Sequence, residues 1–269
     1  MTLPSKTIAL LALAGALVAG PQRLRADDSE EELAKKTQNP VADLISVPFQ
    51  NNFNFDTGPD GKTVWNLNFQ PVIPIHVTDH WNLITRTIVP ILNVPSLAPG
   101  IDDEFGMGDI NPTVFVSPAG AKKFIWGVGP TMTLPTASNE ALGAGKWSAG
   151  PAVVGLFMDG PWVVGALANN QWSFAGWGDQ DVNQFLTQPF VNYNLPHAFY
   201  LVSAPVMTSN WKADAGQRWV VPVGGGIGKL FRLGKLPINT QVQGFYNAVR
   251  PDDYSQVQLR FQFQFLFPQ

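Results

Sequence analysis

Few side chains in this sequence stand at spacings that do chemistry. His76 and His80 bracket a tight connection with Asp79 between them, and two imidazoles with a carboxylate are metal-ligand types. No further ligand accompanies them, so they read as polar turn residues. Asp102-Asp103-Glu104 offers carboxylate oxygens to a hard cation but lacks the spaced ligands of a calcium loop, and reads as a solvated loop. Gly224-Gly225-Gly226-Ile227-Gly228-Lys229 invites comparison with a phosphate-binding loop. Its spacing fails and Leu230 stands where a hydroxyl residue is required, leaving small residues in a crowded strand. Ser148 has Lys146 where a nucleophile elbow needs glycine. His197 and Ser203 are what a Ser-His lipid hydrolase would have to bring together on the outer wall of a barrel, and no motif aligns them. With 0 Cys there is no disulfide framework, thiolate metal site or cysteine nucleophile. No catalytic, cofactor-binding or metal-ligating set is assigned, and no cofactor is expected.

The pattern that organises the chain is structural. From Val257 to Phe267 the sequence alternates almost without a break: Val257, Leu259, Phe261, Phe263, Phe265 and Phe267 fall on one face, Gln258, Arg260, Gln262 and Gln264 on the other. A strand points successive side chains to opposite sides. Such a two-faced strand buries its apolar side against a second layer in a soluble sheet, or turns it to lipid in a membrane barrel. Composition favours the barrel. Charged residues are 14% of the 269, well below the ~25% usual in soluble domains, while 18 Phe and 9 Trp bring aromatics to 12%. Removing Lys6, Arg23 and Arg25 with the first 26 residues leaves 14 basic against 20 acidic side chains, which gives no case for nucleic-acid binding.

Lys6, the apolar run Ile8 to Ala19, and small residues up to Ala26 describe a signal peptide over 1–26. The run is too short for a spanning helix, which needs ~20 residues. No later stretch is long enough either, so a membrane form has to be a barrel. Residues 27–43 read as a periplasmic leader or plug. Within them 29–38 has the look of a short polar helix, Ser29 capping it and Glu32 completing a capping box.

After Leu44 the chain falls into twelve extended segments, 44–56, 62–75, 80–92, 106–117, 123–135, 146–157, 161–172, 182–195, 199–209, 217–230, 236–248 and 255–267. Their connections alternate between short (76–79, 118–122, 158–160, 196–198, 231–235) and generally longer (93–105, 136–145, 173–181, 210–216), with 57–61 and 249–254 intermediate. Membrane barrels place short turns at the periplasmic end and long loops outside; a soluble sandwich has no reason to alternate this way. Tryptophans cluster near strand ends, as interface girdles require. Ten prolines, among them Pro48, Pro71, Pro112, Pro205 and Pro222, fall inside these segments. Because proline cannot donate to a ladder, bulges or bends are expected at them.

Several stretches resemble one bacterial family: NPVADLISVPFQNNFNF at 39–55, FGMGDINPTVFVSP at 105–118, WGVGPTMTLPTAS at 126–138, GKWSAGP at 145–151, QRWVVPVGGGIGKLFRLGKLP at 217–237 and the terminal LRFQFQFLFPQ. It is the outer-membrane family of the meta-pathway phenol-degradation type, sometimes labelled neuromedin U. The resemblance covers nearly all of the chain after residue 26 and implies an outer-membrane β-barrel that passes small, often hydrophobic or aromatic, molecules. It transfers no catalytic motif. Phe267 is followed by Pro268-Gln269, whereas assembly signals of barrels usually finish on an aromatic residue.

The expected fold is therefore all-β: over 44–269, a closed antiparallel up-and-down transmembrane barrel of about 12 strands with a short N-terminal helix. The expected setting is the Gram-negative outer membrane, with its lipid and the barrel-assembly machinery (through 257–267) as partners. Parity assigns Asn66, Asn68, Gln70, Arg86, Asp109, Asn111, Gln188, Asn192, Gln241, Gln243, Arg260, Gln262 and Gln264 to the lumen. Arg86 and Asp109 are expected to pair there. A lipid-cleaving barrel, resembling outer-membrane phospholipase, and a secreted soluble β-sandwich are the alternative readings.

Overall fold

The computed structural model describes residues 29–97, 102–121, 123–178 and 180–267. The signal segment 1–26 and Pro268-Gln269 lie outside the described residues. A single helix, α1 (Glu30–Thr37), precedes the wall. Its capping box forms as the sequence predicts: the Ser29 hydroxyl accepts from Glu32 N at 3.2 Å and Ser29 N donates to the Glu32 carboxylate at 3.3 Å. Three acids in the first turn and two lysines in the last complement the helix dipole.

Fifteen strand segments follow: β1 (Ile45–Thr57), β2 (Lys62–Phe69), β3 (Val72–Thr78), β4 (Trp81–Val94), β5 (Glu104–Met107), β6 (Asn111–Pro118), β7 (Phe124–Thr133), β8 (Lys146–Asp159), β9 (Trp162–Gly176), β10 (Asn183–Asn194), β11 (Phe199–Ser203), β12 (Met207–Asn210), β13 (Trp219–Leu233), β14 (Leu236–Val249) and β15 (Val257–Phe267). Three pairs, β2/β3, β5/β6 and β11/β12, are single wall strands interrupted midway, so the wall has twelve. Each strand pairs antiparallel with its neighbours. β15 runs against β1 from Ile45↔Phe267 to Phe55↔Val257, and β9 against β10, which closes the sheet. Closure leaves no edge in lipid and excludes the two-sheet sandwich.

The seam strand shows the logic of the wall. Arg260, Gln262, Gln264 and Leu266 are buried while Val257, Leu259, Phe263 and Phe267 are exposed, so the even positions face inward. The exposed aromatics form two girdles. At the short-turn end Trp81 meets Trp126 edge-on at 6.0 Å and Trp162 meets Tyr193 at 4.7 Å. At the loop end Trp211 packs edge-on against Trp219 at 5.6 Å, with Phe185 beside both.

The prolines follow the expected bulges only in part. Pro222 adjoins a register shift and Pro90 lies opposite a bulge, but Pro48 sits within unbroken register opposite Gln264. Proline loses its donor and keeps its carbonyl: Pro48 O accepts from Gln70 N at 3.0 Å, Pro71 O from Thr87 N at 3.1 Å and Pro90 O from Gly108 N at 2.9 Å. Half of the local ladder therefore survives each one. A slip with larger consequences lies elsewhere. Ile91 faces Met107 and Ile88 faces Asn111, so the three residues Gly108, Asp109 and Ile110 stand opposite two, Val89 and Pro90. This is the two-against-one arrangement of a β-bulge.

Candidate functional site

The inward faces enclose cavities stacked along the barrel. The outer one, about 630 Å³, is lined by Asn66, Asn68 and Gln70 from the second wall strand, Arg86 from β4, Asp109 and Asn111 around the bulge, and Gln188 from β10. The next, about 160 Å³, is lined by Arg86, Gln188, Asn192, Gln241, Gln262 and Gln264, together with Gln38, Asn39 and Ala42 from the segment after α1. Arg86, Leu167 and Gln188 line both, forming a waist between them. A third cavity, about 820 Å³, opens at the short-turn end beside Asn39, Asp43 and His76.

Gln243 and Arg260 also face inward but are buried in the wall network instead of lining the outer two cavities. Arg260 donates from Nε to Asn52 Oδ1 at 3.1 Å, from Nη1 to Ala204 O at 2.8 Å and from Nη2 to Gln258 Oε1 at 3.2 Å. Gln243 Oε1 accepts from Ala204 N at 3.1 Å, and its amide nitrogen donates to Gln241 Oε1 at 3.3 Å.

The expected Arg86–Asp109 ion pair does not form. Arg86 lies opposite Val72 and Thr113, and its Nη2 donates to Gln70 Oε1 at 2.7 Å. Asp109 also faces the cavity, but it sits in the bulge four residues before Thr113, the residue opposite Arg86, and so lies too far along the strand to pair. Its carboxylate is taken up by the loop over 134–145: Oδ1 accepts from Thr136 N and Ala137 N, each at 3.1 Å, and Oδ2 from Ala144 N at 2.8 Å. The loop thereby folds inward, bringing Leu142 and Ala144 to the outer cavity. Gly143 makes the approach feasible, since a Cβ there would lie 2.5 Å from both Asp109 Oδ1 and Ala137 Cβ.

The short-turn end is occupied by α1. Leu33 and Ala34 are buried against Leu44, Ala198, Leu230 and Leu266, of which Leu230 and Leu266 are inward wall positions. Gln38, at the helix C-terminus, exchanges two amide hydrogen bonds with Asn194 of β10, at 2.9 and 3.1 Å, and Glu31 accepts from His197 N at 3.2 Å. The inward helix carries one apolar pair and a polar remainder, and Val41 just after it packs against an apolar inner face that includes Ile84, Phe115, Leu156 and Val163.

Other interior residues were not singled out by the sequence. Thr113 and Thr131 share a hydrogen bond of 2.7 Å, Thr133 donates to Gln171 at 2.9 Å, and the Tyr200 hydroxyl donates to Asn239 at 2.9 Å. Tyr200 accounts for part of the glycine run: a Cβ at Gly228 would lie 2.1 Å from its ring. Parity was the available signal for these residues, and Thr and Tyr carry it weakly because they suit either face. The chemistry-bearing candidates disperse. His76 Nε2 lies 3.1 Å from Asp43, Asp103 accepts from Ser96 N, and the Ser203 hydroxyl donates to Gly224 O at 2.7 Å. Among the described residues no hydrogen bond joins Ser203 to His197, and no group of three potential metal ligands is found.

No family model matches the chain, and no curated protein matches it. Among solved structures it is similar to the COG4313 outer membrane channel from Pseudomonas putida F1, at 14% identity over 83% of this chain and 94% of that one, with a TM-score of 0.62. Two further barrels are more distant. The CymD monoaromatic hydrocarbon channel gives 6% identity, 90% and 91% coverage and a TM-score of 0.47. The calcium-bound outer membrane phospholipase dimer of Salmonella typhi gives 11%, 89% and 98%, and 0.46. The first likeness shows a shared fold, a closed β-barrel; the other two are too remote to carry an argument.

Proposed function

We propose that this chain is an outer-membrane channel for small hydrophobic or aromatic molecules, of the meta-pathway phenol-degradation type, exported by a signal peptide over 1–26. One observation carries the reading: the polar faces of the wall strands enclose stacked cavities with a waist at Arg86, Leu167 and Gln188. An amide-lined space with apolar walls beside it holds water and offers a passing solute both hydrogen-bonding and apolar surface. Asn66, Asn68, Gln70, Asn111, Asn192, Gln241, Gln262 and Gln264 are the proposed lining of the path. The segment from α1 to Leu44 is its proposed inner plug, and residues 257–267 the proposed contact with the barrel-assembly machinery.

The lipid-hydrolase alternative is less well supported, because the Ser203 hydroxyl is committed to Gly224 O and not to an imidazole. The test is solute uptake by proteoliposomes containing the refolded chain, compared with planar-bilayer conductance. Uptake of small aromatic solutes above that of empty vesicles is expected. Fatty-acid release from the vesicle lipid with no uptake would replace the channel by the enzyme.

A further inference from the structure

Among the described residues, Arg86 and Arg260 both point into the barrel, and they are used differently. Every nitrogen of the Arg260 guanidinium has a protein acceptor. Arg86 donates once, to Gln70. A guanidinium carries five N–H donors in a planar fork, so most of those on Arg86 find no acceptor among the described residues, and no described acid lies within ion-pair distance. Among the described residues the one carboxylate lining the same cavity, Asp109, accepts from three backbone N–H groups. Arg86 therefore presents a cation with free N–H donors to the cavity at the waist.

A planar fork of this kind matches a carboxylate bidentately. Around it the lining is largely uncharged: Leu167 lies at the waist, with Ile88, Phe115 and Leu186 in the outer cavity. That surface suits an organic body and gives nothing to a multiply charged inorganic ion. At about 630 Å³ the outer cavity is of the size that holds a small organic ligand.

We infer that Arg86 is the anchor of a carboxylate-binding subsite at the waist, and that its ligands are small monocarboxylates with an apolar body. The inference rests on the channel reading for its place on a solute path. Gln70 holds one edge of the guanidinium and leaves the other to the ligand. The apolar body lies toward Leu167 and Leu186.

The test is calorimetric titration of the refolded full chain with benzoate and hexanoate, and with their neutral isosteres benzamide and hexanamide. Wild type should bind the acids about tenfold or more tightly than the amides, the margin of a charge-assisted hydrogen bond. R86Q should abolish that difference while R86K retains part of it, with heat-modifiable gel migration reporting the fold of each. The two acids separate aromatic from aliphatic preference. Equal binding of acid and amide by wild type, a comparison that needs no variant, overturns the subsite. So does unchanged benzoate binding in folded R86Q, or displacement of benzoate by equimolar inorganic phosphate. Proteoliposome flux measured in parallel keeps the two readings apart: flux without carboxylate preference overturns the subsite alone, and carboxylate binding without flux overturns the channel alone.

Discussion

Arg260 donates through Nη1 to the carbonyl of Ala204 at 2.8 Å, while Gln243 accepts from the N–H of the same residue at 3.1 Å. Both side chains reach along the inner wall, from β14 and β15, to a backbone that has left its ladder. The pairing of this wall strand with β13 stops at Val202↔Gly226 and resumes at Thr208↔Val220. Between them Pro205 has no donor to give. In a membrane wall no outside water satisfies a freed peptide, so the interior side chains do it.

Removing the strut is therefore expected to cost stability. R260M leaves Ala204 O and Asn52 Oδ1 without this donor, and each buried acceptor left unpaired costs about 1–3 kcal/mol. The urea midpoint of R260M in detergent should fall well below wild type, with R260K in between. Coincident midpoints for R260M and wild type would show that the Ala204 peptide is satisfied without the strut.

Facing along the seam is tested by moving one charge by one residue. Phe263 is 41% exposed on the outside and Gln262 is 9% exposed within. Lysine on the lipid face near mid-depth costs roughly 2–4 kcal/mol, whereas a lumen position tolerates charge. F263K should reduce folding yield into vesicles far more than Q262K. Equal yields would contradict the assignment of faces.

One carboxylate takes three of the hydrogen bonds that hold the 134–145 loop inward. D109A removes an acceptor of three backbone N–H groups. Charge-assisted bonds of this kind contribute about 1.5–3 kcal/mol each. Limited proteolysis should cut within 134–145 faster in D109A, and in G143V, where the added side chain meets Asp109 and Ala137. Unchanged cleavage in both would show that the loop is held by other contacts.

The plug is tested from inside the helix. Leu33 is fully buried against Leu230 and Leu266, so L33D sets an unpaired carboxylate against an apolar wall. S29A removes the cap, a loss of typically ~1 kcal/mol. Single-channel current should rise in L33D and become noisier in S29A. Currents matching wild type in both would mean that α1 does not limit conduction.

What the sequence determined on its own was the wall. Period-two alternation is local, and a barrel turns it directly into an outside and an inside, so Val257–Phe267 already states which way Phe263 and Gln262 point. The alternating connection lengths set the twelve crossings and the shared end of the termini, and Ser29 with Glu32 marked the helix start. Tertiary structure alone decided what the inward residues meet. The register set Thr113 opposite Arg86, four residues from Asp109, and the bulge at Gly108–Ile110 gave the Asp109 carboxylate to Thr136, Ala137 and Ala144. Arg86 and Arg260 look alike in sequence, each an inward arginine on a polar face. One is a strut and the other an open cation because the acceptor Ala204 O comes from a strand break 56 residues away in the chain. Strand alternation records side, not neighbour, and across a closed lumen the neighbour is chosen by bulges, breaks and the helix that fills the mouth.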